Sequence, residues 1–258
     1  MQQARPTTTV ILALAAALLP ACASVAVAAD PAAIPSACHA PFKIALDTGH
    51  TLSQPGATSA TGVTEYSFNR RLVSAVNEGL AQAGVAAVLI GMDGGPLQLT
   101  DRTRLARDAG ASLFLSLHHD SVQPRYLSTW TVEGHERPYS DLFRGYSVFV
   151  SDEGARPADS LRFASLLGTA LLAGGFVPSL YHAEPIPGEG RPLLDRRLGI
   201  LRFDKLAVLR TAAMPAVLLE AAVIVNRQEE QEARSPAFLK RMAAAVTRAV
   251  LQFCSPVR

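Results

Sequence analysis

The sequence predicts one α/β domain built on a mostly parallel β-sheet, and three observations support this prediction. The chain has 258 residues, 49% hydrophobic and 18% charged, which suits a single domain with one sizeable core. The apolar stretch 43–47, a loop, an amphipathic helix and the apolar stretch 85–90 follow one another as in a βαβ unit. Polar residues come directly after buried strands, as they do at the ligand-binding edge of α/β sheets.

The remaining elements are predicted from hydrophobic spacing and from turn residues. Leu72, Val73, Val76 and Leu80 follow the spacing of an amphipathic helix over 66–83. The later elements are a helix over 101–109 capped by Thr100, a strand over 112–117, a strand over 146–150, a helix ending at Leu172 and capped by Asp159 or Ser160, strands over 206–209 and 216–219, and a last helix that begins at Ser235-Pro236.

Between residues 121 and 144 the hydrophobic periodicity is lost. We expect an irregular segment that covers or lines a cleft. One hypothesis is autoinhibition, in which Glu133, His135 or Glu136 occupies an open metal position until a partner withdraws the segment. The alternative is that this segment only shapes a substrate groove.

Residues 1–29 are predicted to be an export signal. A single cation, Arg5, precedes the apolar run 10–19, which is too short to span a membrane. Two endings of the signal remain open: cleavage after the A-x-A pattern at 26–28, or a lipid anchor on Cys22 in a sequence similar to a bacterial lipoprotein box. Both place the protein in the periplasm or another extracytoplasmic space.

After the signal, we expect an extended lead-in over 30–40 and one folded domain over 41–255. An oxidising compartment would allow Cys38 and Cys254 to form a disulfide, and two unpaired buried thiols are the alternative. The net charge of +2 provides no concentrated basic face, so nucleic acid is not an expected partner. We expect a monomer.

Four polar residues at strand ends or at a helix start are candidates for a metal site. His50 and His118 each follow a buried strand, Glu65 begins the first long helix, and Glu220 closes a late apolar strand. Two imidazoles and a carboxylate are a common ligand set for catalytic Zn2+, with an open position for water. Glu220 would then be free to act as a general base.

Four short segments carry a family resemblance. They are LDTGH at 46–50, TEYSFN at 64–69, SLHHDS at 116–121 and MPAVLLEAAVIVN at 214–226. In order and spacing they resemble the successive blocks of the zinc-dependent N-acetylmuramoyl-L-alanine amidases, the amidase type 3 family of peptidoglycan enzymes. The resemblance extends over nearly the whole chain after the signal.

This resemblance implies hydrolysis of the amide bond between the lactyl group of N-acetylmuramic acid and L-alanine of peptidoglycan stem peptides, in cell-wall remodelling. It implies Zn2+ bound by His50, Glu65 and His118, with Glu220 as the catalytic glutamate that activates water. It also implies a single domain with a twisted sheet of about six strands and helices on both faces. An activator or regulatory protein is a further partner to consider.

The chain departs from the family pattern around these residues. Thr48 and Thr51 replace a proline and a glycine, Asp120 replaces an asparagine, and Ala221-Ala222 replaces the glycine after the catalytic glutamate. These changes affect loop geometry and the surroundings of the ligands. The four acting residues are retained.

Other polar residues near the site are assigned by their position. Strand alternation should point His118 and His119 to opposite sides, and the motif favours His118 as the ligand. No pattern supports a ligand role for His135 or His182. Asp47 would either orient a ligand imidazole or cap a turn.

Two other functions remain open. One is a different zinc peptidase of the cell wall that cuts elsewhere in the stem peptide, although the chain has no H-E-x-x-H helix. The other is a non-catalytic periplasmic protein that binds the wall or regulates an enzyme.

Overall fold

The computed structural model describes Met1, Cys38 and residues 41–255, and the residues from Cys38 onward belong to one compact unit. The predicted signal after Met1, with Cys22, and most of the predicted lead-in lie outside the described residues. The strands are β1 (Lys43–Thr48), β2 (Ala86–Ile90), β3 (Leu113–Asp120), β4 (Ser128–Val132), β5 (His135–Tyr139), β6 (Ser147–Val150), β7 (Leu193–Asp195), β8 (Ile200–Arg202) and β9 (Ala216–Val223). The α-helices are α1 (Glu65–Gln82), α2 (Leu99–Asp108), α3 (Pro157–Ala173), α4 (Ala207–Arg210), α5 (Arg227–Arg234) and α6 (Pro236–Cys254).

Seven strands form one sheet in the order β2-β1-β3-β9-β6-β8-β7. The pairs β1–β2, β1–β3, β3–β9 and β6–β8 are parallel, and the pairs β6–β9 and β7–β8 are antiparallel. The predicted α/β fold with a mostly parallel sheet is therefore confirmed. The sheet has seven strands instead of about six.

Helices cover both faces of the sheet. Leu115 and Leu117 of β3 lie in a large core together with buried side chains of α1, α3 and α6. Phe114, which immediately precedes Leu115 and therefore lies on the opposite face, belongs to a second core with Ala106 of α2 and Val208 of α4. A strand that is buried on both faces is apolar throughout, which explains why β3 has no polar residue in its first three positions. Within the described part of the chain, no helix combines the length and hydropathy needed to cross a membrane.

The last helix, α6, begins where the sequence predicts, at Ser235-Pro236. The hydroxyl of Ser235 accepts a hydrogen bond from the backbone N–H of Phe238 at 3.1 Å, and Pro236 occupies the first helical turn. The predicted disulfide between Cys38 and Cys254 is also confirmed, and it joins the start of the domain to the last turn of α6.

Several local predictions are wrong. The segment 206–209, predicted as a strand, contains the start of helix α4, and the strands β7 and β8 were not predicted at all. The residue preceding α2 is Gln98 instead of Thr100, and the residue preceding α3 is Arg156, with Pro157 as the first helical residue. Strands of three residues and a helix of four are too short to produce a periodicity in the sequence.

The segment 121–144 is not irregular. It contains an antiparallel hairpin in which β4 pairs with β5. Glu133 and Gly134 form its turn, and both have positive φ angles, 51° and 77°. The indole N–H of Trp130 donates a hydrogen bond to the carbonyl of Ala60 at 2.8 Å, so the hairpin is fastened to the loop before α1.

Candidate metal centre

The four residues predicted from the sequence come together at one edge of the sheet. The strands β1, β3 and β9 are neighbours and run parallel, so their carboxyl ends meet there. His50 follows β1, whereas His118 and Glu220 are paired in register on β3 and β9. Glu65 is the first residue of α1. All four line one cleft of about 280 Å³.

His50, Glu65 and His118 could hold a metal ion. Nε2 of His50 lies 2.9 Å from Oε2 of Glu65, and Nδ1 of His118 lies 2.9 Å from Oε1 of the same carboxylate. One potential ligand atom from each residue lies within 4.8 Å of the others. Two imidazole nitrogens and a carboxylate oxygen converging in this way match the donor set of a zinc site with an open position.

The carboxylate of Glu65 is held by several donors besides the two imidazoles. It accepts hydrogen bonds from the backbone N–H of Ala57 at 3.1 Å, the side-chain amide of Asn69 at 3.1 Å and the backbone N–H of His119 at 3.3 Å. Burial opposes its ionisation, but the hydrogen bonds and charges of His118 and His50 outweigh burial and hold the pKa of Glu65 well below its ordinary value. Glu65 is therefore ionised and fixed in position.

Two glycines give the ligand side chains their space. A Cβ atom at Gly49 would lie 2.4 Å from the ring of His118, and one at Gly56 would lie 2.3 Å from Oε2 of Glu65. Gly56 also has a positive φ of 76°. His50 itself has a φ of 69°, which is unfavourable for a residue with a side chain.

Arg102 holds the strand end that carries His50. Its guanidinium donates hydrogen bonds to Oδ1 of Asp47 at 2.7 Å, to the carbonyl of Thr48 at 2.5 Å and to the carbonyl of His50 at 2.6 Å. The other carboxylate oxygen of Asp47 accepts from the hydroxyl of Ser116. Asp47 was expected either to orient a ligand imidazole or to cap a turn, and the contacts of its carboxylate are instead this hydrogen bond and a buried ion pair with Arg102.

His119 points away from the ligands, as predicted from strand alternation. Its side chain is buried, and Nδ1 lies 2.8 Å from Oδ1 of Asn69, an acceptor, so this nitrogen carries the proton. Burial lowers the pKa of His119 to about 3 and keeps the imidazole neutral. Through Asn69, His119 supports Glu65 indirectly.

Glu220 faces the cleft without a partner. Oε2 of its carboxyl group is shielded from solvent and has no hydrogen-bond partner among the described residues. Burial, together with the negative charges of Asp120 and Glu65, raises the pKa of Glu220 well above its ordinary value, and His182 opposes this rise. A carboxyl group whose pKa is raised in this way holds a proton more readily than an exposed one, which suits a role in proton transfer.

His182 is a further residue of the cleft, and no sequence pattern indicated it. Its ring lies at the edge of the cleft, with Nε2 2.8 Å from Oδ2 of Asp120 and Nδ1 2.8 Å from Oε2 of Glu189. Burial opposes protonation, yet the two carboxylates, with Glu220, raise the pKa of His182 to about 10. The departure from the family pattern at Asp120 was the available signal, because an additional buried carboxylate needs a cationic partner.

The autoinhibition hypothesis is not supported by the contacts of the hairpin. Glu133, His135 and Glu136 are exposed at the hairpin turn, and none belongs to the metal-binding group found among the described residues. Arg227 packs on Tyr139 of the same hairpin, with its guanidinium carbon 4.0 Å from the ring centre. The hairpin is thus held by α5 and, through Trp130, by the loop that precedes Glu65.

A second cavity, of about 320 Å³, adjoins His50 and His118 on the face of the sheet covered by α2 and α4. Arg102 forms part of its wall. Its lining also includes the aliphatic side chains of Leu97, Leu99, Leu206, Val208 and Leu218, together with polar residues of the loop after β1. The candidate ligands therefore have open space on two sides.

Comparison with known proteins identifies related sequences. The sequence model of the family described as N-acetylmuramoyl-L-alanine amidase matches residues 44–252. A probable N-acetylmuramoyl-L-alanine amidase AmiB of Haemophilus influenzae is 23% identical over 237 residues, which cover 84% of this chain and 53% of that protein. The N-acetylmuramoyl-L-alanine amidase AmiA of Salmonella typhimurium is 24% identical over 218 residues, covering 81% of this chain and 75% of that protein. The chain thus spans about half the length of the Haemophilus relative.

Solved structures show the same fold. The N-acetylmuramyl-L-alanine amidase Ami1 from Mycobacterium smegmatis superimposes with a TM-score of 0.66 at 22% identity, covering 84% of this chain and 99% of that one. The CwlD amidase from Clostridioides difficile, solved in complex with the GerS lipoprotein, gives a TM-score of 0.62 at 16% identity, covering 82% of this chain and 98% of that one.

Proposed function

The chain belongs to the N-acetylmuramoyl-L-alanine amidase family, and from this premise we propose that it hydrolyses the amide bond between the lactyl group of N-acetylmuramic acid and L-alanine of peptidoglycan stem peptides. The observation that carries the proposal is the convergence of His50, Glu65 and His118 with the unpartnered carboxyl group of Glu220 in one cleft. The match of residues 44–252 to the family supports the choice of bond.

We propose Zn2+ as the cofactor, held by His50, Glu65 and His118. Two of the three donors are imidazole nitrogens, which suit zinc, whereas Mg2+ and Ca2+ prefer oxygen ligands. The space left by Gly49 and Gly56 allows the three side chains to converge. When bound, zinc would supply a Lewis acid and lower the pKa of a water to about 7.

Glu220 is the proposed general base and acid. Its carboxylate would take a proton from the water that attacks the lactyl carbonyl carbon, and would then give this proton to the nitrogen of L-alanine as the C–N bond breaks. The products are a lactyl carboxylate on the glycan and a stem peptide with a free amino terminus. The cleft beside Glu220 and the cavity beside Arg102 offer space for the two substituents of the amide.

Location and partners follow from the proposed substrate. Peptidoglycan lies outside the cytoplasm, so we propose export by residues 1–29, with a lipid anchor on Cys22 as the alternative to cleavage. Residues 41–255 would be the catalytic domain and function as a monomer. The solved complex of the CwlD amidase with the GerS lipoprotein supports considering a regulatory partner for this chain as well.

The experiment that tests this function compares the wild-type mature protein with Glu220→Gln. Purified peptidoglycan is digested, the products are identified by mass spectrometry, and bound zinc is measured. We expect about one zinc ion per chain in both proteins, and a loss of cleavage of roughly 10²- to 10⁴-fold in the variant. Glu78→Gln, a change of an exposed residue on the outer side of α1, should retain full activity.

Each deviating result has a defined meaning. Shortened stem peptides, with the lactyl amide intact, would identify the wild type as another cell-wall peptidase. Folded wild-type protein that takes up no zinc would contradict the metal mechanism and favour a wall-binding protein without catalysis.

A further inference from the structure

His182 is held in an unusual way at the edge of the cleft. Each of its ring nitrogens lies 2.8 Å from a carboxylate oxygen, one of Asp120 and one of Glu189. Ionised carboxylates only accept hydrogen bonds, so both ring nitrogens must carry a proton for both contacts to form. The ring is therefore an imidazolium whose two donors are already in use, and it acts on the substrate only through its neighbours.

One of these neighbours, Asp120, belongs to the same strand as a candidate metal ligand. Asp120 lies two residues after His118 and is the last residue of β3. Its other carboxylate oxygen accepts a hydrogen bond from the backbone N–H of Ser121 at 2.8 Å. The contact with His182 therefore fixes the point at which the chain leaves the strand.

The other neighbour belongs to a loop, residues 181–191, that borders the cleft. The side-chain amide of Gln123 donates to the carbonyl of Pro187 at 3.0 Å and to Oε1 of Glu189 at 3.3 Å. The hydroxyl of Tyr181 accepts from the backbone N–H of Gln123 at 2.7 Å. A Cβ atom at Gly188 would lie 2.8 Å from the same amide, so the two segments approach each other closely.

These contacts build one wall of the proposed active site. Tyr181, His182 and Glu189 line the cleft together with the candidate ligands and Glu220. Because the cleft is only about 280 Å³, a small displacement of this loop would change the space available beside Glu220. The imidazole of His182 forms salt bridges with both Asp120 and Glu189, so it connects the end of β3 to this loop.

We infer that His182 is a positioning residue: clamped between Asp120 and Glu189, it fixes the loop 181–191 against the end of β3 as the wall that receives the substrate beside Glu220. This inference rests on the proposed amidase function for the identity of the substrate. It also accounts for the acidic residue at position 120, because a carboxylate binds an imidazolium more strongly than an amide does.

The test uses His182→Gln in the zinc-loaded mature protein. A glutamine is neutral and reaches only one of the two carboxylates, so the loop should loosen. We expect hydrogen exchange of the backbone amides in 181–191 to accelerate about tenfold or more. On a soluble muropeptide we expect KM to rise by about tenfold, while kcat changes less than about threefold and zinc content is unchanged.

Control variants decide whether the effect comes from the clamp. His135→Gln, a change of an exposed histidine in β5, should leave exchange, KM and kcat at wild-type values. Glu189→Ala removes one side of the clamp and keeps the contact between His182 and Asp120, so its KM should also rise. This second variant keeps the inference testable if His182→Gln does not fold.

Three results would overturn the inference. They are unchanged exchange and KM in folded His182→Gln, wild-type values in Glu189→Ala, and a loss of kcat and zinc with KM unchanged. The proposed function and the clamp can fail separately. If the wild type has no amidase activity while exchange in 181–191 is still faster in His182→Gln than in the wild type, the proposed function is rejected and the clamp remains supported.

Discussion

At the scale of single residues, one buried guanidinium determines how the first candidate ligand is presented. Arg102 is 3% exposed and contacts Asp47, Thr48 and the carbonyl of His50. A positive φ at a residue with a side chain costs about 1–3 kcal/mol, so the conformation of His50 persists only because its surroundings enforce it. Arg102 belongs to α2, and its three hydrogen bonds hold the end of β1 and the carbonyl of His50 in place.

We predict that Arg102→Met lowers the free energy of unfolding of the metal-free protein by about 3–5 kcal/mol, because it leaves the carboxylate of Asp47 buried without its charge partner. Denaturant unfolding in the presence of a chelator measures this effect. Zinc affinity, measured by competition with a chelating dye, should fall in the variant because His50 loses its support.

Arg104→Met is the matched control on the same helix. Arg104 pairs with Asp101 and Asp108, but all three side chains are substantially exposed, so its loss should change the free energy of unfolding far less than the loss of Arg102. Equal effects of the two substitutions would contradict the role given to Arg102.

At the scale of elements, helix α6 is fixed at both ends. Ser235 caps its first turn, and the disulfide from Cys38 to Cys254 holds its last turn. Between these points α6 contributes many of the buried side chains that pack on α1 and α3. The disulfide lies at the amino end of β1, whereas the candidate ligands lie at the carboxyl end of that strand, so its effect should be on stability.

We predict that the double variant Cys38→Ser/Cys254→Ser lowers the free energy of unfolding by about 2–5 kcal/mol, because the disulfide closes a long loop of the unfolded chain. Thermal unfolding with and without a reducing agent measures this effect. The reducing agent should destabilise the wild type and leave the variant unchanged; a wild type that is insensitive to it would contradict the prediction.

At the scale of the whole molecule, the order of the strands assembles the site. The strands β1, β3 and β9, which carry or precede His50, His118 and Glu220, are neighbours in the sheet although they are far apart in sequence. At the end of β9, a carboxyl group of α5 joins this strand to the segment that precedes β6. Glu229 accepts hydrogen bonds from the backbone N–H groups of Val223 and Gly145, at 2.9 Å and 2.8 Å, and is buried.

Burial raises the pKa of Glu229 to about 7, although the hydrogen bonds from Val223 and Gly145 oppose the rise. The unfolded chain therefore loses this proton near pH 4.5, while the folded protein keeps it until about pH 7. Its contribution to stability is complete below pH 4.5 and is lost as the pH rises towards 7. We predict that the difference in free energy of unfolding between wild type and Glu229→Gln falls over this interval, by at most about 3 kcal/mol.

Denaturant unfolding of both proteins at several pH values between 4 and 8 measures this difference. Glu232→Gln, on the same helix but with a half-exposed carboxylate, should show a difference that does not vary with pH in this way. If the difference in free energy of unfolding between wild type and Glu229→Gln rises with pH instead, the prediction is contradicted.

The elements that the sequence predicted correctly are those with a long, regular pattern. The spacing of apolar residues in α1 and α6 and the apolar runs of β1, β3 and β9 each require burial on defined sides. Helix α5 escaped prediction because its residues Arg227–Arg234 are almost all polar. It is held instead by the side chain of Asn226, which accepts hydrogen bonds from two backbone N–H groups, and by the buried carboxyl groups of Glu229 and Glu230.

The sequence by itself determined the α/β class and the four residues that meet in the cleft, because strand ends and a helix start are local features whose polar residues stand out against apolar runs. Only the tertiary structure revealed the clamp of His182, whose partner Asp120 is 62 residues away, and the support that Arg102 gives to the strand end before His50. Contacts of this kind depend on how loops and helices pack across the sheet, and no local pattern in the sequence records that packing.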